Sequence, residues 1–525
     1  MSKSRPVFHA WRLRVGACTL SSLLVCAPAI AADASALACD QAQAIESRIS
    51  LPMLKQCADE KTAEVMFRLL DIQRSKDKQA SSKTPRQLDN GDVFRKRQIN
   101  ELAFAVKLIL TQGNRSDASP SERQAAASLH QGDPAPSIEL LERSAKNGDP
   151  ALARRAQAAL LRISDLSSAS KMLAQALALN PAHFEMLQAA ADLAHIQRKT
   201  EAALALYQRM LDQARINAKA HAGHAKWQHQ IATSLDDLAD ELMESDKLPQ
   251  ARQHYQSALD IWQDLHKAEP ERPLWQIYSA LEWNKLSNVA FDQNEFTAAI
   301  SYLQNAQPIF QKLASAMPDS TIWPLQMIDI ATRIGDAHLR ARQLDAALIN
   351  YKQALAQAAR RNAQAPKDVL WQREMATSYQ RIGDLYQFQI KGEEALAQYN
   401  AALVLRQKLA GPGEDNDGAV QGQIIFIQNR IADLQVKLGL PDAALGNYQA
   451  ALALASQLVE RAKLEDFTLV QANLMGKIGL LEDSDLKPEE RHAMMQRSVK
   501  LLEAASGKSP LPQYLAELME KLRTA

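Results

Sequence analysis

Five acidic or amide residues return along this chain at an almost fixed step: Asp240, Asn288, Asp336, Asp384 and Asp433, separated by 48, 48, 48 and 49 residues. Four positions before each stands a second polar side chain, Asp236, Asn284, Thr332, Gln380 and Asn429. Residues four apart share one face of a helix, so these ten predict a two-wide polar ribbon running from repeat to repeat. Such a ribbon can hydrogen-bond the backbone of an extended peptide through its amides and attract Lys or Arg through its carboxylates. A second reading stands beside that one: each Asp can instead bond to an adjoining helix and keep the spacing between repeats.

Other residues with chemical potential are sparse. His221 and His224 lie one helical turn apart, a spacing compatible with metal ligation. His229 points away from them, His254 falls on a later helix and no acid is close in sequence. The chain has no nucleophile elbow, phosphate-cradling glycine loop, zinc-protease histidine pair or paired-cysteine motif. The expectation is a non-catalytic protein with no cofactor and no metal site.

The elements that carry the ribbon are legible from the same step. Trp227, Trp275, Trp323 and Trp371 are 48 apart, as are Ala251, Ala299, Ala347 and Ala395, and Ala258, Ala306, Ala354 and Ala402. A fixed period of this size marks a stacked array whose units bury their apolar faces only against neighbours. Within one unit Met375, Tyr379, Ile382, Leu385 and Tyr386 follow helical spacing. Lys391 and Gly392 break the run, and Ala395, Tyr399, Ala402 and Leu403 mark a second helix.

This unit resembles the tetratricopeptide repeat (TPR), whose motif is met by Tyr379, Ile382, Gly383, Tyr386, Ala395, Tyr399 and Ala402. The resemblance implies an all-α fold, a right-handed superhelical solenoid of antiparallel helix pairs. The family's usual period is 34, and the 48-residue units depart from it; Gln407 also replaces the proline expected at the motif's end. The surplus length predicts a longer second helix and a first helix that starts early, near its tryptophan. By the same resemblance the first helices line the inner wall of the superhelix. The ten ribbon residues then face a groove that takes a protein or extended peptide partner. The alternative is a glycan- or cell-wall-facing component of an envelope export or assembly apparatus. The periodic tryptophans are expected to pack between repeats, whereas Trp262 and Trp283 fall off their register and are freer for surface contact. Tyr255, Tyr351, Tyr399 and Tyr448 occupy the motif's phenylalanine-like site in the core.

The 525-residue chain is 46% apolar, 23% charged and only 5% aromatic, a composition suited to many close helix contacts. Residues 1–31 read as a signal peptide: Lys3, Arg5, Arg12 and Arg14 precede an apolar run from Val15 to Ile30, and Ala29-Ile30-Ala31 offers a cleavage site. Cleavage removes four positive charges from a formal +1 and leaves −3, which gives no bulk electrostatic case for nucleic acid. No later segment is long enough for a transmembrane helix, so the mature chain is expected to be exported to the periplasm. There Cys39 and Cys57 can form a disulfide; lipid attachment at Cys39 is the rival reading.

Five regions follow: the signal peptide, a helical N-terminal region with loops at 32–135, short-period repeats at 136–216, 48-residue repeats at 217–460, and a degenerate repeat with a closing helix at 461–525. Ala203 and Tyr207 repeat Ala169 and Leu173 at a step of 34, so the period changes between Ala203 and Ala251. Ser119-Pro120-Ser121-Glu122 predicts a capping box opening a short helix to about His130.

Overall fold

The computed structural model describes residues 59, 62–66, 69 and 92–524, apart from 148, 163–164, 318–319, 411–418, 463–466 and 508–509. The signal segment and all four cysteines, Cys39 and Cys57 among them, lie outside the described residues. Every described secondary element is helical, and the chain divides into two compact units that meet at Gln326 and Met327. No described helix is long and apolar enough to cross a membrane.

In the N-terminal unit, α1 (Asp92–Gly113), α2 (Pro120–His130), α3 (Ala135–Asn147) and α4 (Pro150–Leu161) enclose a core that includes Ile109, Leu129, Leu141 and Leu160. The expected capping box is present: Glu122 N donates to Ser119 Oγ at 3.3 Å, and Ser119 N donates to the Glu122 carboxylate at 2.6 Å. Antiparallel helices follow, α5 (Leu166–Leu179), α6 (Phe184–Ile196), α7 (Thr200–Ala220), α8 (Ala225–Glu244), α9 (Leu248–Ala268), α10 (Pro273–Asp292) and α11 (Phe296–Ala316). α12 (Ile322–Arg340) contains the boundary. The C-terminal unit continues with α13 (Leu344–Gln364), α14 (Val369–Phe388), α15 (Gly392–Leu409), α16 (Ala419–Lys437), α17 (Pro441–Ala462), α18 (Phe467–Gly479), α19 (Pro488–Ser506) and α20 (Gln513–Thr524). Where the period is 48 most helices run to 20 or 21 residues, and α10 begins two residues before its tryptophan, as the surplus length predicts.

The turn inside each pair is set by one backbone position. Arg198, Asp246, Asn294, Arg342, Ile390 and Gly439 all adopt positive φ, between 56° and 71°. The next N–H then reaches back to a carbonyl five residues earlier, as in Lys247 to Leu242 at 2.9 Å and Lys391 to Tyr386 at 2.9 Å, ending the first helix and starting the return.

Close approach of the paired helices depends on small residues. Ala251, Ala299, Ala347, Ala395 and Ala444 are fully buried, and the aromatic column packs beside them, with Tyr255, Tyr351 and Tyr399 at most 1% exposed. A Cβ on Gly383 would lie 2.9 Å from the Tyr399 ring, and one on Gly335 would lie 2.5 Å from Tyr351, so these glycines make room for the tyrosines. Trp275, Trp323 and Trp371 are 1–2% exposed and pack between repeats.

Trp262 departs from its expected surface role. It is 1% exposed and stacks on Trp275 and Tyr278, with centroids 5.7 and 4.3 Å away. Its position on the second helix matches Phe310 one repeat later, which stacks on Trp323 at 6.0 Å, so this column fills the same inter-repeat space. Trp283 is half-buried.

Candidate functional site

The recurring acids sit on the first helices, and each meets a tyrosine fifteen residues later on the second. In the N-terminal unit the hydroxyls of Tyr207 and Tyr255 donate to Asp192 at 2.8 Å and Asp240 at 2.6 Å. In the C-terminal unit Tyr351, Tyr399 and Tyr448 donate to Asp336, Asp384 and Asp433 at 2.6, 2.7 and 2.6 Å. The one repeat with Asn288 in place of Asp has Leu303 in place of Tyr. The acid and the phenol are therefore present or absent together. Burial, and then the adjacent Asp, raise the pKa of Tyr351, Tyr399 and Tyr448 and keep the phenols protonated as donors.

A cation from the first helix of the following repeat closes the rungs at Asp240, Asp336, Asp384 and Asp433. Lys285 Nζ lies 2.9 Å from Asp240 and also pairs with Asp236. Arg381 approaches Asp336 at 3.4 Å and Arg430 approaches Asp384 at 3.6 Å; Lys477 binds Asp433 at 2.5 Å and Asn429 at 2.9 Å. Lys285 and Lys477 also lie over the rings of Tyr255 and Tyr448, 5.5 and 5.7 Å from the centroids. Each complete rung thus joins both helices of one repeat to the first helix of the next.

The five ribbon positions one turn earlier, and Asn288, have unequal surroundings. Asp236 and Asn284 are buried, 3% and 5% exposed, and Asn284 donates to Gln326 at 3.2 Å. Asn288 is exposed; Thr332, Gln380 and Asn429 are half-buried, and Thr332 Oγ1 donates to Ile328 O of its own helix at 2.9 Å. The Lys/Arg column was not anticipated from sequence, although a basic residue stands 44 to 46 positions after each of Asp240, Asp336, Asp384 and Asp433.

The innermost rung is the most charged. Around Lys285 lie Asp236, Asp240 and Glu282, all but Asp240 buried. Burial opposes the ammonium, and Asp236 and Asp240 outweigh it, raising the Lys285 pKa. Burial, and then Asp236, push the Glu282 pKa well above its usual range, favouring the neutral carboxyl beside Asp236.

Tyr351→Phe tests a rung directly. It removes the phenol donor while Arg381 remains, and it is expected to cost about 1 kcal/mol in equilibrium unfolding. A change below a few tenths would mean that the hydroxyl is not engaged.

The histidines singled out by sequence do not converge. His221 stacks on Trp227 at 5.0 Å, whereas His229 packs among Trp262, Trp275 and Tyr278, where burial lowers its pKa to about 4. A different set, His195 with Glu241 and Glu244, has atoms close enough to share an ion.

No protein-family model and no curated protein matches the chain. Solved structures similar to it include the C-terminal part of a TPR repeat-containing protein from Cytophaga hutchinsonii (13% identity, covering 63% of this chain and 98% of that one, TM-score 0.35). Others are the apo form of the quorum sensor NprR from B. thuringiensis (10% identity, 75% and 97%, TM-score 0.39), and a signal-transduction ATPase with a tetratricopeptide repeat sensor from Pyrococcus horikoshii (11% identity, 86% and 74%, TM-score 0.42). The motif residues and the antiparallel pairs they build give the chain a TPR-like, all-α helical-repeat fold.

Proposed function

We propose that this chain is an exported, non-catalytic scaffold that holds a protein or extended peptide partner against the first helices of its repeats. The observation that carries the reading is the exposure of the rungs in the C-terminal unit. Asp336 and Asp384 are each 22% exposed, Asp433 31%, and their cations Arg381, Arg430 and Lys477 25–39%. These charges are fixed by the fold yet keep a solvent-facing edge, so a partner can add hydrogen bonds without ordering the site. Export is supported by the basic and apolar N-terminal segment, and the periplasm is the compartment we assign. The glycan-facing alternative calls for exposed aromatics or polar ribbons that contact glycans; the periodic Trp275, Trp323 and Trp371 are buried and supply no such aromatics.

The test uses the paired substitutions Asp336→Asn and Asp384→Asn. An asparagine oxygen still accepts from Tyr351 and Tyr399, so each rung loses only an ion pair of up to about 1 kcal/mol. A photo-crosslinker at Gln380 should trap a discrete partner in intact cells, one at exposed Ile349 should not, and the double variant should reduce the Gln380 adduct severalfold. An adduct of unchanged yield alongside a lowered melting temperature would leave the acids a purely structural role.

A further inference from the structure

His195, Glu241 and Glu244 form a cluster that the repeats do not require. His195 lies in the last turn of α6 and the two glutamates in the last turn of α8, where the 34-residue period gives way to 48. His195 Nδ1 is 2.6 Å from Glu241 and 3.6 Å from Glu244. The side chains of His195 and Glu241 are 10% and 4% exposed; that of Glu244 is 34% exposed and forms the solvent side.

Two features set the cluster apart from a routine inter-helix tie. Glu241 directly follows the rung acid Asp240, a position taken in the other repeats by Leu193, Val289, Ala337, Leu385 and Leu434, each at most 4% exposed. A carboxylate has been placed where stacking calls for an aliphatic side chain. Moreover, both glutamates occupy the C-terminal turn of a helix, whose partial negative charge disfavours anions and favours a cation.

We propose that His195, Glu241 and Glu244 bind a divalent first-row transition ion, with Zn2+ as the test ion, which clamps α6 to α8. One imidazole nitrogen and two carboxylate oxygens suit zinc and its neighbours better than magnesium or calcium, which take oxygen alone. The three ligand atoms lie within 4.8 Å of one another. Ligands about 2.1 Å from a zinc ion are separated by roughly 3 to 4 Å, so rotation of the part-exposed Glu244 closes the set. Solvent completes the coordination on that side.

The experiment is calorimetric titration of the full chain, freed of metal with a chelator, with Zn2+ and separately with Mg2+. One equivalent of Zn2+ should bind and raise the melting temperature, and Mg2+ should do neither. Glu244→Gln should weaken the zinc affinity tenfold or more while the chelator-treated protein keeps its helical dichroism, since the buried His195 to Glu241 contact survives. The Co2+ form should show d–d bands without thiolate charge transfer, which separates this site from any held by Cys39 or Cys57. Absence of saturable zinc binding, or zinc affinity undiminished from that of the unsubstituted chain in Glu244→Gln and His195→Gln, would overturn the assignment.

Discussion

Lys285→Met is expected to destabilise the N-terminal unit by about 3–5 kcal/mol, the range for removing one partner of a buried ion pair. Lys285 and Asp236 have side chains 8% and 5% exposed, and Glu282 is 3% exposed beside them. Methionine restores the volume and none of the charge, so Asp236 is left as a buried carboxylate facing Asp240. The deficit carries a pH signature. Burial already raises the Asp236 pKa above that of an unfolded aspartate, and losing the ammonium raises it further. As pH falls through that raised value the folded variant takes up a proton that the unfolded chain does not yet bind, so the deficit shrinks on going from pH 7 to pH 5. Adding Asp236→Asn should restore most of the lost stability, because no buried carboxylate then lacks a cation. Lys477→Met supplies the contrast: that rung is 25–31% exposed, and the expected cost is about 1 kcal/mol or less. Urea unfolding of the four proteins at the two pH values makes the comparison. Equal costs at Lys285 and Lys477, or a Lys285 deficit that grows on acidification, would rule out a buried charge balance at the inner rung.

The parts of this fold that were legible in sequence are those held by one residue type at one step. Ala251 and its successors, the tyrosines and the tryptophans keep their identities because each fills a space of fixed size between backbones that approach closely. The breaks were legible as well, since Lys391-Gly392 and Ser119-Pro120 mark local backbone requirements that a short motif satisfies. The cations of the ladder were hidden by two kinds of drift. Lys and Arg interchange at that column, and its offset from the acid varies between 44 and 46 residues. A long flexible side chain reaches its carboxylate from any of those positions, so the physical pairing is kept while the sequence register slips. Glu241 was hidden for the opposite reason: it occurs once, in a column of aliphatic residues, and its histidine lies 46 positions earlier on a helix of a different period. Periodicity exposes what every repeat needs and passes over what only one junction contains.

Trp262 shows how far a column can change its residue while keeping its task, and it yields the second large expected effect. Along this position stand Ala214, Trp262, Phe310, Ala358, Arg406 and Ala455. Side-chain volume thus varies widely, and the partners across the inter-repeat gap adjust with it. Where Trp262 stands, the gap also holds Trp275, Tyr278 and His229, with ring centroids 4.3–5.7 Å from the indole. Trp262→Ala is expected to cost about 3–5 kcal/mol, through lost burial and the cavity left among rings that cannot collapse together. Trp262→Phe should cost markedly less, because phenylalanine reproduces the Phe310 and Trp323 stack of the next repeat. It also removes an indole N–H that has no hydrogen-bond partner. The Ala variant should lose near-ultraviolet dichroism from the stacked rings together with stability, and the Phe variant should keep most of both. If Trp262→Phe proved as damaging as Trp262→Ala, the indole would have a role beyond filling the gap, and stacking alone could not account for its burial.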